Sequence, residues 1–313
     1  MSIRAHESSP QPTPPVSPDP APALCDYEGS AYRVEFWTGE RAFEDQAERL
    51  ALRTLLPPSG ARLVEIGAGF GRLADLYAGY TQVILVEPAL SMLHQAQERL
   101  GHDARFIFVR SSVYDLPLQD QTLDTVVMVR VLHHLVDVPR ALTELRRIVR
   151  PGGAFVLEFA NKRNLKSILR YLTGRQQWNP FSPEQVEFVE LNFDFHPKTI
   201  RSLLKENHFS VGKQLNVSQF RVAWLKRHVP LKALAALDSA LQWTGAFAQY
   251  APSIWTLAEA VGASPAPAEG SFFACPVCGG ALAKVGQPQS CPQCGHDWAY
   301  ADGIHEFRIN PEA

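Results

Sequence analysis

Val64-Glu65-Ile66-Gly67-Ala68-Gly69-Phe70-Gly71-Arg72 sets three glycines directly after an apolar stretch and before a helical pattern. A glycine at position 67 can take a backbone conformation closed to other residues, and one at 69 lets a ligand lie against bare main chain. A helix starting there would add the positive end of its dipole. Spacing decides the ligand. A dinucleotide fingerprint needs its third glycine at position 72, which is arginine, whereas Gly-x-Gly-x-Gly is typical of S-adenosylmethionine (SAM) sites. Such a turn can also be purely structural.

Around this turn, apolar runs alternate with amphipathic ones. Strands are expected at 62–66, 82–86, 105–109, 125–129 and 154–159, with helices at 71–78, 91–100 and 139–149. This order predicts an α/β fold, Rossmann-like and doubly wound, whose mostly parallel seven-stranded sheet is covered by helices on both faces. A helix at 197–207 and strands at 211–218 and 253–260 complete it. The second strand ends in Glu87, where an acid can accept hydrogen bonds from ribose hydroxyls.

Upstream, residues 1–26 are dominated by Pro, Ser and Ala and read as a disordered tail. Residues 27–57 read as a cover or lid. It holds a helix with Phe43, Ala47, Leu50 and Leu55 on one face, preceded by Tyr32, Phe36 and Trp37. Within the main domain, 27–261, the stretch 162–252 interrupts the alternation and is expected to hold acceptor specificity. Its basic run Lys162, Arg163, Lys166, Arg170 and Arg175 is a solvated face or a phosphate contact. Pro230 can start a helix on which Leu234, Leu237 and Leu241 share a face, with Lys232, Asp238 and Gln242 directed elsewhere. That stripe packs on the domain, or with Trp224, Lys226 and Arg227 it meets a lipid-like acceptor or a membrane surface.

Residues 262–270 read as a linker, and 271–313 as a separate module. Here Cys275, Cys278, Cys291 and Cys294 form two Cys-x-x-Cys knuckles, a pattern that can close a tetrahedral Zn2+ site without an open position. His296 and His305 lie nearby, and residues 298–307 alternate around an Asp-Gly turn as a hairpin would. The fifth cysteine, Cys25, has no evident partner.

The 313 residues carry a net charge of −2, so nucleic acid is not the default partner. No apolar run is long enough to cross a bilayer and no secretory signal is recognisable, so a cytoplasmic location is expected.

Several further blocks carry a resemblance. Residues 111–118 (SSVYDLPL), 122–127 (TLDTVV), 131–135 (VLHHL) and 145–153 (LRRIVRPGG) follow the glycine turn in the order found in class I SAM-dependent methyltransferases of the type 11 group. The segment 62–161 is similar to that family. The resemblance implies that Glu65 organises the methionine end of SAM, that Gly67, Ala68 and Gly69 approach it with backbone, and that Met92 packs on adenine. Ser112 and Val113 would meet the adenine edge, although many relatives carry Asp at the position of Ser112. Arg130, leaving the fourth strand, would face the methionine amino group and the methyl. His134 is the first candidate for a general base, unless the His133-His134 pair only packs the turn; His196 is the second. The cysteine module resembles the small zinc-ribbon activator subunit of tRNA, rRNA and release-factor methyltransferases, and implies a scaffold or a protein-partner surface. The expected activity is methyl transfer from SAM to a small-molecule or lipid-like acceptor. The alternatives are RNA or protein methylation with the ribbon docking the target, and a SAM-binding scaffold without catalysis.

Overall fold

In the computed structural model, the described residues are 22–23, 27–28, 41–262 and 272–309. Cys25, Tyr32, Phe36, Trp37, nearly all of the tail and all of the linker but Gly262 lie outside them.

The first described helix, α1 (Ala42–Leu55), buries Phe43, Ala47, Ala51, Leu52 and Leu55 and ends at Leu56 before Pro57-Pro58. Leu50 is only half-buried, because the inward stripe runs through Ala51 and Leu52 instead. Strands β1 (Gly60–Ile66), β2 (Tyr80–Val86), β3 (Phe106–Arg110) and β4 (Leu123–Met128) follow, with α2 (Leu90–Leu100) joining β2 to β3 and α3 (Val138–Ile148) leading into β5 (Val149–Ala160).

The helix expected at 71–78 is absent. A four-residue 3-10 turn, Ala74–Tyr77, stands there instead. Gly71 turns at φ +72° and the next residue, Arg72, is tied to α1 by ion pairs to Asp45 and Glu48, so no helix N-terminus faces the glycine turn. Residues 150–153 lie within β5, where Gly152 sits at φ +74° and the register to β4 shifts between Leu123 and Thr125.

Beyond β5, α4 (Leu165–Leu172), a hairpin of β6 (Val186–Val189) and β7 (Asn192–Asp194), and α5 (Pro197–Glu206) precede β8 (Phe209–Val217). Two helices, α6 (Ala223–His228) and α7 (Leu231–Gln242), then lead to β9 (Ser253–Ala260). On α7 the expected orientation holds for Leu234, which is buried, and Lys232, which is exposed, but not for the following turns. Asp238 and Gln242 are buried and Leu237 is half exposed, because the Asp238 carboxylate accepts the Ser218 and Gln219 amides at the end of β8 and Gln242 donates to the Ala47 carbonyl.

The C-terminal segment contributes short strands β10 (Phe273–Ala274), β11 (Ala281–Leu282), β12 (Gln289–Ser290) and β13 (Asp297–Trp298), then a hairpin of β14 (Tyr300–Ala301) and β15 (Ile304–Glu306). Asp302 and Gly303 turn it with φ of +51° and +80°, the left-handed pair that a two-residue hairpin needs.

The sheet order is β14-β15-β3-β2-β1-β4-β5-β9-β8. Nine strands replace the expected seven because β15 pairs in parallel with β3, Ile304 opposite Phe108 and Glu306 opposite Arg110. Strands β1 to β5 pair in parallel, and β9 is antiparallel to both β5 and β8. Alternation along β1 sends Val64 and Ile66 into one core with α3 and α5, and Leu63 into the other with α1, α2 and α7. Helices therefore cover both faces. Among the described residues no helix is long and apolar enough to cross a membrane.

Candidate active site

The carboxyl ends of β1, β2 and β4 surround a cavity whose empty volume, with its open mouth, is about 940 Å3. Its floor is the glycine turn. Gly67 and Ala68 both donate to the Val86 carbonyl, at 2.8 and 3.1 Å, which holds the turn against β2. At Gly67 the backbone is at φ +67° and a Cβ would come within 2.2 Å of Val131 Cγ2. At Gly69 (φ +54°) a Cβ would meet nothing within 4 Å, so the main chain there faces open space.

Glu87 spans two turns: Oε2 accepts the Gly69 amide at 2.9 Å and Oε1 the Ala89 amide at 3.1 Å. Its carboxylate thus stands at the cavity wall beside the floor. Met92, Phe70 and Ala89 form a small apolar cluster, with Tyr27 against it. Glu65 lines the cavity fully buried, and its Oε2 finds no hydrogen-bond partner among the described residues. Burial pushes the Glu65 carboxyl up to about 7 against the pull of Tyr77 and Arg72.

These features fit SAM. Bare backbone, a ribose-height carboxylate, an apolar slot for a base and an orphaned buried acid for an ammonium are the parts such a ligand needs. The site differs from expectation at Ser112, whose Oγ accepts the Tyr114 amide at 3.1 Å; Ser111 and Val113 line the cavity, and Ser112 does not. A short side chain after β3 satisfies its own turn first.

Arg130 leaves β4 at φ +59°, its amide donating to Glu158 Oε2 at 2.8 Å and its Nη1 to Glu48 Oε1 at 3.0 Å. Burial opposes charge on Glu48, but Arg72 and Arg130 outweigh it and hold the carboxyl below its ordinary value. Glu158 is raised, chiefly by burial. Glu48 and Glu158 were not singled out in the sequence. On α1, Glu48 looks like an ordinary polar-face residue until Arg72 and Arg130 converge on it.

His134 lines the cavity with both ring nitrogens engaged. Nδ1 lies 3.0 Å from the Leu191 carbonyl, which can only accept, so Nδ1 carries the proton. Nε2 is then an acceptor, and the Tyr27 hydroxyl donates to it at 2.9 Å. Burial lowers the His134 pKa, so the ring stays neutral near neutrality. His133 lies against it, the rings tilted by 46° with centroids 4.0 Å apart, and is itself held neutral by burial. His196 lies elsewhere: buried, outside the cavity wall, its Nδ1 accepts the Lys198 amide and caps α5. Tyr27 was not foreseen either, because it follows a polar, proline-rich stretch with no periodicity.

In the C-terminal segment the four cysteine sulfurs lie within 4.8 Å of one another. Sγ of Cys275 and Cys294 are 3.7 Å apart, and those of Cys278 and Cys291 3.5 Å. A tetrahedral zinc with bonds of about 2.3 Å sets its thiolates roughly 3.8 Å apart, so the donor set fits. His305 is not part of it: its Nε2 accepts the Gly286 amide, and burial lowers its pKa to about 4.

Comparison with known proteins agrees with this geometry. Residues 64–157 match the family described as a methyltransferase domain. The demethylmenaquinone methyltransferase of Clavibacter sepedonicus is 34% identical over 115 residues, 36% of this chain and 47% of that protein. A ubiquinone/menaquinone biosynthesis C-methyltransferase of Rubrivivax gelatinosus is 32% identical over 115 residues, 36% of this chain and 45% of its own length. The chain spans about half the length of these curated relatives. Among solved structures, a chain from the complex between the Haloferax volcanii Trm112 methyltransferase activator and a methyltransferase superposes with TM-score 0.51 at 15% identity, over 74% of this chain and 97% of that one. Fold, glycine turn and family match agree in that residues 64–157 are similar to a methyltransferase domain.

Proposed function

We propose that this chain transfers a methyl group from SAM to a small, lipid-like acceptor, as the names of a demethylmenaquinone methyltransferase and a ubiquinone/menaquinone biosynthesis C-methyltransferase among its relatives suggest; that the acceptor bears a ring hydroxyl is inferred from the site itself. The observation that carries the reading is the hydrogen bond from the Tyr27 phenol to His134 Nε2 at the cavity wall. The protein's own phenol occupies a position that a hydroxyaromatic acceptor could take.

Glu65, Gly67, Gly69, Glu87 and Met92 would hold the cofactor, with Ala68 and Val113 completing the wall. When bound, SAM supplies a methyl carried on a sulfonium. Arg130 holds the end of β4 rigid through Glu158 and Glu48, which fixes the floor on which the reactants line up. His134, with its proton on Nδ1, would accept the acceptor's hydroxyl proton at Nε2 in place of the Tyr27 hydroxyl, and the deprotonated oxygen would bond to the methyl carbon while the electron pair of the broken carbon–sulfur bond stays on sulfur. Because burial lowers the His134 pKa, activity should hold above neutrality and fall as pH drops through that lowered value. His134→Ala should reduce kcat by about 100-fold or more with little change in SAM affinity.

Zn2+ in the Cys275, Cys278, Cys291 and Cys294 cluster would be structural, since four thiolates leave no open position. A second reading, methylation of RNA or protein, has one observation in its favour: a fold neighbour solved in complex with the Trm112 activator. Methyl-labelled SAM and fractionated cell extract separate the two. Label in the organic-soluble fraction supports the lipid-like acceptor, and label in RNA or polypeptide sinks it.

A further inference from the structure

We propose that the outward face of α4, with the mouth of a second cavity beside it, docks on an anionic lipid bilayer. This deepens the lipid-like acceptor reading, on which it rests for the molecule to be drawn in. The apolar residues Leu165, Leu169 and Leu172 follow one another at i, i+4 and i+7, and are 54%, 53% and 69% exposed. A surface helix normally turns such a stripe to the core. Here only Ser167 of the helix is buried. The arrangement is inside out, as on helices that lie in the plane of a membrane interface.

Charge selects the occupant. The cavity beside α4 has an empty volume of about 2160 Å3 with its mouth, and its wall combines Leu165, Leu169 and Phe188 with Lys166, Arg170 and Arg175. Among the described residues no aspartate or glutamate lines it. On the neighbouring hairpin, the Glu187 carboxylate is engaged by the Leu191 amide. A fourth cation of the wall, Arg221, is paired with Glu44, and Lys166, Arg170 and Arg175 around an apolar opening complement the negative surface of a bilayer and leave the leucines a hydrocarbon phase to enter. A nucleic acid backbone would satisfy the cations and leave the leucines in water. Lys162 takes no part: it is buried and donates to the Glu184 carbonyl.

Flotation of the full chain with vesicles tests this. Vesicles of phosphatidylcholine mixed with phosphatidylglycerol should carry the protein up the gradient, pure phosphatidylcholine should carry less, and high salt should release it. The double substitution Leu165→Glu, Leu169→Glu, at solvent-facing positions, should lower partition roughly tenfold or more while the heat of SAM binding stays unchanged. Absence of wild-type flotation at low salt, equal flotation of the variant, or a gel shift of RNA abolished by the same variant would overturn the proposal. Labelling of the lipid fraction is read separately, and decides the acceptor rather than the surface.

Discussion

Gly67 and Gly69 share a left-handed backbone and differ in what surrounds them. Alanine at 67 meets both the strained φ and Val131, so Gly67→Ala should cost about 2–3 kcal/mol, seen as a lowered denaturant midpoint. Glu65 gives a pH signature. Its carboxyl titrates near 7 in the fold against 4.5 ordinarily, so the native state holds a proton that the unfolded chain has lost between those values. Stability is therefore full below about 4.5 and falls as pH rises through 7, by up to about 3 kcal/mol. Glu65→Gln should flatten that slope in urea melts from pH 5 to 8, and an unchanged slope would assign it elsewhere. The glycines, Glu87 and Met92 were legible because their role depends on position next to strand ends. Tyr27, Glu48 and Glu158 were not, since their importance comes from partners 107, 82 and 28 residues away.

At the scale of elements, the parallel strands were readable from apolar runs, and their bounds moved by a few residues at most except at β5. The missing helix at 71–78 shows the limit of periodicity: an ion-paired arginine and a turned glycine outweigh a short helical pattern. On α7 the same lesson has the opposite sign. Asp238 and Gln242 look like a solvent face, yet two amides leaving β8 need an acceptor and the carboxylate supplies it. Asp238→Ala would bury unsatisfied donors and should destabilise the fold by about 2 kcal/mol or more, measured by thermal unfolding. A smaller helix contact explains α2, whose first amides at Leu90 and Ser91 are accepted by Glu28 from the N-terminal segment. Tyr27 and Glu28, adjacent in the chain, thus contact His134 and the first turn of α2.

At the scale of the molecule, the C-terminal module is part of the sheet. Pairing of β15 with β3, with an Arg110 to Glu306 ion pair at 2.8 Å and Phe273, Trp298 and Phe307 in the larger core, ties the cysteine cluster to the methyltransferase fold. The knuckles were plain in the sequence; their attachment was not, because a three-residue strand carries no pattern of its own. With Zn2+ bound at the cluster as proposed, chelation should therefore lower the melting temperature of the whole chain in one transition, rather than release a small independent one. The central claim remains the cavity over the glycine turn. Its most direct test is a calorimetric titration of the purified chain with SAM, beside Gly69→Val, whose side chain would project into the open space. The wild type should bind at one site per chain and the variant at least tenfold more weakly. No binding by the wild type, or equal binding by both, would contradict it.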